Sequence, residues 1–525
     1  MTGILHNLYS KQPLVIRVFF LIKRLEKISQ AISINKILNA RLFFKNISIF
    51  VIHLSISFKK SYNITMKIDQ LLQGIATTKF DLTVEGLCLN SQQLQPGDVF
   101  IALQGDKHHG ADYIEQAINK GCVAVLIDSK DVECNVPTIR IDHLSGHLST
   151  LASTFYTKAA QVDVVGITGT NGKTSVAYFI SQLLNKLGVN TGLIGTLGIA
   201  NNSQNSNNTT PDIITLYRAL DEYAQNDINT VALEISSHAL AQQRVKGLNI
   251  TQAVLTNFTQ DHLDYHQSLE QYKAEKLKLF QLDSISSVIL NADDLSFADF
   301  SAASGNAPQF NYSINDFEDI KTTEYGFIAQ LDSFVFEVPF LGEFNLMNIL
   351  SAYNTLKARN FNSEQIIPLL HQLSPPFGRM HKIKNHLAWV DYAHTPDAIE
   401  KAIITLKAHY PGHKIRVIFG CGGDRDQTKR APMGKIVSKL ANTIILTDDN
   451  PRSEDPGQII NDILNGIDDS YEVDIIQDRI LAIETGITTL KENECLLIAG
   501  KGHESQQHYQ NKTIAMNDID IANNA

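Results

Sequence analysis

Val164-Val165-Gly166-Ile167-Thr168-Gly169-Thr170-Asn171-Gly172-Lys173-Thr174-Ser175 is a β-branched run that ends in glycines and passes at once into Gly-Lys-Thr. Val176 to Leu187 then carries apolar residues at helical spacing, so the stretch reads as strand, phosphate loop and helix. Glycines let backbone N–H groups close on phosphate oxygens, and the helix start adds the positive end of its dipole. Gly169, Thr170, Asn171, Gly172, Lys173, Thr174 and Ser175 are therefore the candidate nucleotide residues, with Lys173 neutralising the outer phosphates and the Thr174 hydroxyl available to Mg2+. The general phosphate-loop spacing wants glycine at position 167, where Ile167 stands, so the loop is a variant. A plain Gly-rich turn before a helix is the alternative reading.

Downstream, Thr230-Val231-Ala232-Leu233-Glu234 reads as a buried strand that delivers a carboxylate at its carboxyl end, the edge where open α/β sheets hold ligands. Glu234 is the natural partner of Mg2+ beside Thr174, because a hard cation takes oxygen ligands. Thr209-Thr210-Pro211 opens a helix, with a hydroxyl available as N-cap. Ala253 to Phe258 is another strand and leads into Asp261-His262-Leu263-Asp264-Tyr265-His266. His262 and His266 stand four apart, but no third ligand is placed and zinc is a poor fit. The helix Leu269 to Phe280 carries Lys276, which on its own is a basic residue on a helix. Asn345 and Asn348 share one face of the helix that runs to about Ala358 and could serve as its caps.

Ser374-Pro375-Pro376-Phe377-Gly378-Arg379-Met380 reads as a linker. Beyond it, strands at Leu387–Tyr392, Ile415–Phe419, Thr443–Leu446, Val473–Ile476 and Cys495–Ala499 alternate with helices, a rhythm that predicts a mostly parallel, Rossmann-like sheet. Asp391, the turn Gly420 to Asp426, and Asp448-Asp449-Asn450-Pro451-Arg452 lie at its strand ends. The glycine turn lacks the full dinucleotide-binding register. An amino acid with an extra charged end needs both signs near it, which Asp449, Asn450 and Arg452 supply; Arg425, Gly500 and Glu504 can join from neighbouring strand ends. A generic surface turn is the alternative for Asp-Asn-Pro-Arg.

A length of 525 residues makes three α/β domains the sensible prior, and 43% hydrophobic with 19% charged residues is an ordinary globular composition. The net charge of −10 argues against a general nucleic-acid partner, and five scattered cysteines with no CxxC pair read as reduced thiols. Residues 1–65 differ, with ten Lys or Arg against the single acid Glu26. Their apolar run, Leu14 to Ile22, is broken by Arg17 and is too short to span a bilayer. A basic membrane-surface segment is one reading; the other takes Met66 as the natural start and residues 1–65 as an extension outside the fold.

Thr168-Gly169-Thr170-Asn171-Gly172-Lys173-Thr174 resembles the ATP loop of the Mur ligases and folylpolyglutamate synthases, which join an amino acid to a carboxylate using ATP. From about Met66 onward the chain resembles the Mur ligases in several motifs in the same order, and Asp-Asn-Pro-Arg is similar to the branch that adds meso-diaminopimelate. The resemblance implies a uridine-nucleotide domain at 66–160, an ATP domain at 161–375 and an amino-acid domain at 376–525. It implies that Leu89, Ser91, Asp106, Lys107 and His108, then Asn208, Thr209, Thr210, Ser236, Gln242 and Arg244, hold UDP-MurNAc-L-Ala-D-Glu. At the first of these sites Leu89-Asn90-Ser91-Gln92 stands where the family usually has Leu-Asp-Ser-Arg. It further implies that Asn345, Asn348 and Asp391 sit near ATP and that Arg379 contacts phosphate. The diaminopimelate set becomes Arg425, Asp449, Asn450, Pro451, Arg452, Gly500 and Glu504. Two Mg2+ would fall to Thr174, Glu234, His262 and Lys276, the last as a CO2-derived carbamate. The expected enzyme is a cytoplasmic monomer with no membrane span. A folylpolyglutamate synthase is the rival enzyme, opposed by Asp-Asn-Pro-Arg and the N-terminal domain. A nucleotide-binding regulatory protein is the rival without catalysis, and it would predict loss of Lys276 or Glu234.

Overall fold

Segments such as Val164-Val165-Gly166-Ile167 and Val231-Ala232-Leu233 are apolar on both faces, which only a sheet covered on both sides can bury. The computed structural model describes residues 64–525 apart from 106–107, 129–131, 133, 200–207 and 469. The expectations for residues 1–63, Asp106 and Lys107 therefore lie outside the described residues.

The central sheet has seven strands in the order Gln309–Tyr312, Ser287–Asn291, Ile250–Leu255, Asp163–Thr168, Thr230–Glu234, Thr191–Gly195 and Gly198–Ile199. All neighbours run parallel except the last pair. After Asp163–Thr168 the chain builds three strands on one side and then crosses to the other, so the topological switch point lies at the carboxyl end of the phosphate-loop strand. Val165, Ile167, Phe179, Ile180 and Leu183 pack there against Leu346, Ile349 and Leu350 of the helix Glu343–Lys357. Each such buried side chain contributes roughly 1.5–3 kcal/mol. The weakly patterned region after this sheet is a three-stranded antiparallel sheet, Asp319–Thr323, Gly326–Leu331 and Phe334–Val338.

The C-terminal sheet follows the order His381–Lys382, Ala388–Asp391, Glu494–Ala499, Lys414–Phe419, Thr443–Leu446 and Val473–Ile475, parallel except for its first pair. Trp389, Ile403, Val417 and Phe419 fill the core on one face; Val390, Ile418, Ile483 and Ile498 fill it on the other. The N-terminal module is a four-stranded parallel sheet, Gly86–Cys88, Asp98–Ala102, Ala124–Ile127 and Thr138–Arg140.

Two local expectations are corrected. The strand read at Ala253–Phe258 is Ile250–Leu255, because Thr256, Asn257 and Phe258 leave the ladder to bond the neighbouring loops. The helix expected to be capped by a threonine hydroxyl of Thr209-Thr210 starts at Ile213 and is capped by Asp212, whose carboxylate accepts from Thr215 N at 3.0 Å. A carboxylate one residue before the helix satisfies its free N–H groups directly, which releases both threonines for other partners.

Candidate active site

The phosphate loop is braced from the next strand end. Asn257 takes the backbone N–H of Asn171 on its Oδ1 and returns its Nδ2 to the Asn171 carbonyl, both at 2.9 Å. Gly172 adopts φ 85°, and a Cβ there would stand 2.6 Å from Asn348 Oδ1, so only glycine lets the two segments meet. The helix Lys173–Lys186 has no side-chain cap, and its first residues line a cavity of about 1630 Å3, which leaves an N-terminal turn open to an anion. Lys173 Nζ folds back along the loop, donating to the carbonyls of Gly169 and Thr170 at 2.8 Å each.

Glu234, buried at its strand end, accepts from Thr174 Oγ1 at 2.9 Å and from Thr196 N and Oγ1 at 2.8 and 3.1 Å. Burial pushes its carboxyl up, against the Thr196 N–H and the Lys173 ammonium, which favour the anion. Thr174 and Glu234 together offer adjacent oxygen donors on the cavity wall, a set that fits a hard divalent cation. Arg379 donates to Thr174 Oγ1 at 3.3 Å and lies over the Tyr392 ring at 4.3 Å, while its Nε is buried with no partner among the described residues. A donor of that kind on the cavity wall suits a phosphate oxygen.

Lys276 is 1% exposed; its amine donates to the Gly169 carbonyl at 2.9 Å and stands 4.6 Å from the Tyr272 ring centre. Burial and the Lys173 charge hold it well below the ordinary 10.5, with Asp261 opposing. That direction favours the neutral amine, the form able to react with CO2. His262 adopts φ 54°, carries Nε2 3.5 Å from Asp261 and is held low by burial. His266 turns instead to Ser237 Oγ at 2.8 Å, so the two histidines have separate partners.

Asp449, Asn450, Arg452, Gly500 and Glu504 line the same cavity, as do Arg425 and Asp391. Asn450 Nδ2 donates to Glu504 Oε2 at 2.8 Å, and Arg452, at φ 54°, donates to the Gly423 carbonyl at 2.7 Å. Asn208, Thr209, Ser236 and Arg244 also line the cavity, with Thr209 bonded to Thr196 near Glu234. Gly169, Thr210, Gln242, Lys276, Asn345 and Pro451 are not part of its lining: Thr210 bonds the Glu234 carbonyl, the exposed Gln242 accepts from Arg244, and Asn345 accepts from Asn348. The cavity wall does not include Leu89, Ser91 or His108; Ser91 is buried against Gln116 and His108 meets the Tyr113 ring.

Thr196 and Asp397 were not singled out in the sequence, whereas His394 stands in the strand-end loop after Asp391 that was expected to face the nucleotide. Thr196 holds Glu234, and Asp397 accepts from Asn171 Nδ2 at 2.8 Å across the two large sheets. His394, neutral because burial holds it at about 4, shares its Nδ1 with the Tyr392 carbonyl at 2.8 Å. Asp397 was visible as an N-terminal helix acid, but the partner it meets is 226 residues away.

Three α/β modules, with a phosphate loop and a two-signed turn facing one cavity, define a nucleotide-dependent enzyme of the phosphate-loop class. Family models described as the Mur ligase family catalytic domain, the Mur ligase middle domain and the Mur ligase glutamate ligase domain match residues 83–156, 167–356 and 378–502. The chain belongs to the Mur ligase family. It is 36% identical over 86% of its length to a UDP-N-acetylmuramoyl-L-alanyl-D-glutamate--2,6-diaminopimelate ligase of Wigglesworthia glossinidia brevipalpis, of which it covers 97%. The Pseudomonas putida protein of the same name is 37% identical, with 85% of this chain and 95% of that one aligned. A solved structure of such a ligase matches with a TM-score of 0.58 at 30% identity, over 87% of this chain and 98% of that one. A MurF ligase from Thermotoga maritima in complex with ADP, 18% identical, shares the fold with a TM-score of 0.58 over 79% of this chain and 93% of that one.

Proposed function

We propose that this chain is an ATP-dependent ligase that joins meso-2,6-diaminopimelate to the D-glutamate γ-carboxylate of UDP-MurNAc-L-Ala-D-Glu in peptidoglycan precursor synthesis. The observation that carries the reading is the single cavity lined both by Lys173, Thr174 and Glu234 and by Asp449, Asn450, Arg452 and Glu504. ATP chemistry and amine-donor recognition thereby share one space.

In the proposed reaction the terminal phosphoryl group of ATP passes to the substrate carboxylate, giving an acyl phosphate and ADP. The donor amine, having lost a proton, adds to the acyl carbon; the tetrahedral adduct collapses to an amide and releases phosphate. Lys173, the open helix start and Arg379 bind and orient the transferring group, so that charge developing on its oxygens meets fixed donors. Thr174 and Glu234 would hold one Mg2+, and His262 with a carbamate on Lys276 a second; bound cations neutralise phosphate charge. The carbamate forms when the neutral Lys276 nitrogen bonds to CO2 and gives up a proton, turning a repelling cation into an oxygen ligand.

Asp449 and Glu504 suit the donor's ammonium and Arg452 and Arg425 its carboxylates. Asn208, Thr209, Ser236 and Arg244 would meet the peptide arm of the nucleotide substrate, with Leu89, Ser91, Asp106, Lys107 and His108 in the N-terminal module at its uridine end. By this assignment residues 66–160 serve the nucleotide sugar, 161–375 ATP and 376–525 the amino acid, in a cytoplasmic monomer. Five free thiols suit a reducing compartment. Among the described residues no helix is long and apolar enough to cross a membrane.

The test is phosphate release from ATP by purified protein given the UDP-MurNAc dipeptide and, in turn, diaminopimelate, lysine or glutamate. Turnover dependent on diaminopimelate is expected. Equal turnover with plain lysine would overturn the donor assignment, and no ATP use with any donor would overturn the whole reading.

A further inference from the structure

Gly500-Lys501-Gly502-His503-Glu504 contains one charged side chain with no role in the reading above. Lys501 is 0% exposed, so its ammonium sits wholly inside the protein beneath the proposed donor site. Such a group is tolerated only when its donors are matched, and all three are: Asn450 Oδ1 at 3.0 Å, Glu504 Oε2 at 2.7 Å and the Gln506 carbonyl at 2.8 Å.

The geometry fixes what faces the cavity. Asn450 Oδ1 accepts from Lys501 and from His508 N at 3.0 Å, so its amide is oriented with Nδ2 toward Glu504. Both the Lys501 and the Asn450 bonds fall on Glu504 Oε2. Among the described residues no hydrogen bond falls on Oε1, and Glu504 lines the cavity with its side chain 31% exposed. Burial pushes the Glu504 carboxyl up, but the Lys501 charge and hydrogen bond outweigh it and hold the group below the usual carboxylate range. Asp449, buried alongside, is pushed up by burial and pulled back first by Lys501. Arg479, bonded to Asp518 at 2.7 Å and fully buried, also favours the Asp449 anion, but Lys501 stands first on Asp449 and is the cation that hydrogen-bonds Glu504 directly.

We propose that Lys501 is a positioning residue for the amine donor: from beneath the pocket it locks Asn450 and Glu504 together and turns Glu504 Oε1 toward the donor's ammonium. The proposal rests on the ligase reading given above and deepens it. Lys501 touches no substrate; it acts through Glu504. Without it, Glu504 would lose its bonded cation and face the Asp449 charge with only Arg479 to offset the pair, so its carboxyl would take up a proton more readily in place of binding an ammonium.

The experiment uses the full chain and measures KM for diaminopimelate, ATP and the UDP-MurNAc dipeptide in Lys501→Met, Glu504→Gln and the double variant. Lys501→Met should raise the diaminopimelate KM by about tenfold or more and leave the other two within about twofold. The acid limb of the diaminopimelate kcat/KM profile should move to higher pH, since the Glu504 carboxyl protonates sooner when the cation is gone. In the Glu504→Gln background, Lys501→Met should change the diaminopimelate KM by no more than about twofold, because the residue acts through that carboxylate. The double variant removes Lys501 together with the carboxylate bonded to it and leaves Asp449 with Arg479 as its cation, so it keeps the comparison open if Lys501→Met alone does not fold. A diaminopimelate KM unmoved in Lys501→Met, an acid limb that stays in place, or an equal further loss in the Glu504→Gln background would overturn the proposal. Wild-type protein that consumes no ATP with any donor would instead overturn the ligase reading.

Discussion

Replacing Lys276 with methionine separates a catalytic lysine from a structural one, because the two roles predict opposite changes in stability. The side chain is 1% exposed, makes one hydrogen bond to the Gly169 carbonyl and has the Lys173 charge as a repelling neighbour. Removing it forfeits that bond, about 0.5–1.5 kcal/mol, and relieves the burial of the remaining N–H groups, about 1–3 kcal/mol. Methionine fills nearly the same volume and can keep contact with the Tyr272 ring. Stability should therefore stay within about 1 kcal/mol of wild type or rise. Activity should fall about 10²–10³-fold, the usual loss when one fixed electrostatic partner of a transition state is removed.

The pH dependence gives a second readout. The native value of Lys276 lies below the ordinary 10.5, so the unfolded chain binds more protons between the two values and wild-type stability rises with pH across that window. Lys276→Met should flatten this slope. Denaturant melts at several pH values, with phosphate release on the same samples, make the measurement. In Lys276→Ala, formate or acetate should restore part of the rate by occupying the carbamate's place. A variant destabilised by more than about 2 kcal/mol with unchanged kcat would refute the reasoning and make Lys276 a structural residue.

Other outcomes follow from the same geometry. Glu234→Gln keeps the shape but loses the anion beside Thr174, so it should raise the Mg2+ needed for half-maximal rate and lower kcat about 10²-fold or more, read by metal titration. Asp397→Ala removes the bond from Asn171 that joins the phosphate loop to the helix Pro396–His409 of the last domain, about 0.5–1.5 kcal/mol, and should weaken that contact by up to about tenfold, read as faster hydrogen exchange in residues 169–173 and 396–400. His409 accepts from Gly342 N at 3.2 Å and shares Nδ1 with the Thr323 carbonyl, so its neutral form ties the last domain to the antiparallel sheet. Burial holds His409 below 6.5; protonation is thus favoured in the undocked state, and the contact should weaken as pH falls below that value, seen as faster hydrogen exchange in residues 319–342 that His409→Gln renders pH-independent.

The phosphate loop was legible because its signals are local: β-branched residues, glycines at forced backbone angles and an apolar helical face lie within about two dozen consecutive residues, where short-range sterics and periodicity decide conformation. The strand and helix rhythm of residues 387–499 is visible for the same reason, to within a residue at most strand ends. Acidic and amide residues that compete for one helix start were not distinguishable by pattern, and so Asp212 took the cap expected of Thr209-Thr210. Partners far apart in sequence were beyond reach altogether. Asn171 meets Asp397, Lys501 gathers Asn450 and Glu504, and the Lys276 ammonium is disfavoured only because folding strips its water and sets Lys173 beside it. Residue type and order determined which chemistry the chain carries; burial and the crossing of two sheets decided which of those groups are charged, which face the cavity and which act from behind it, since desolvation and Coulomb energy depend on distance in space and on exclusion of water.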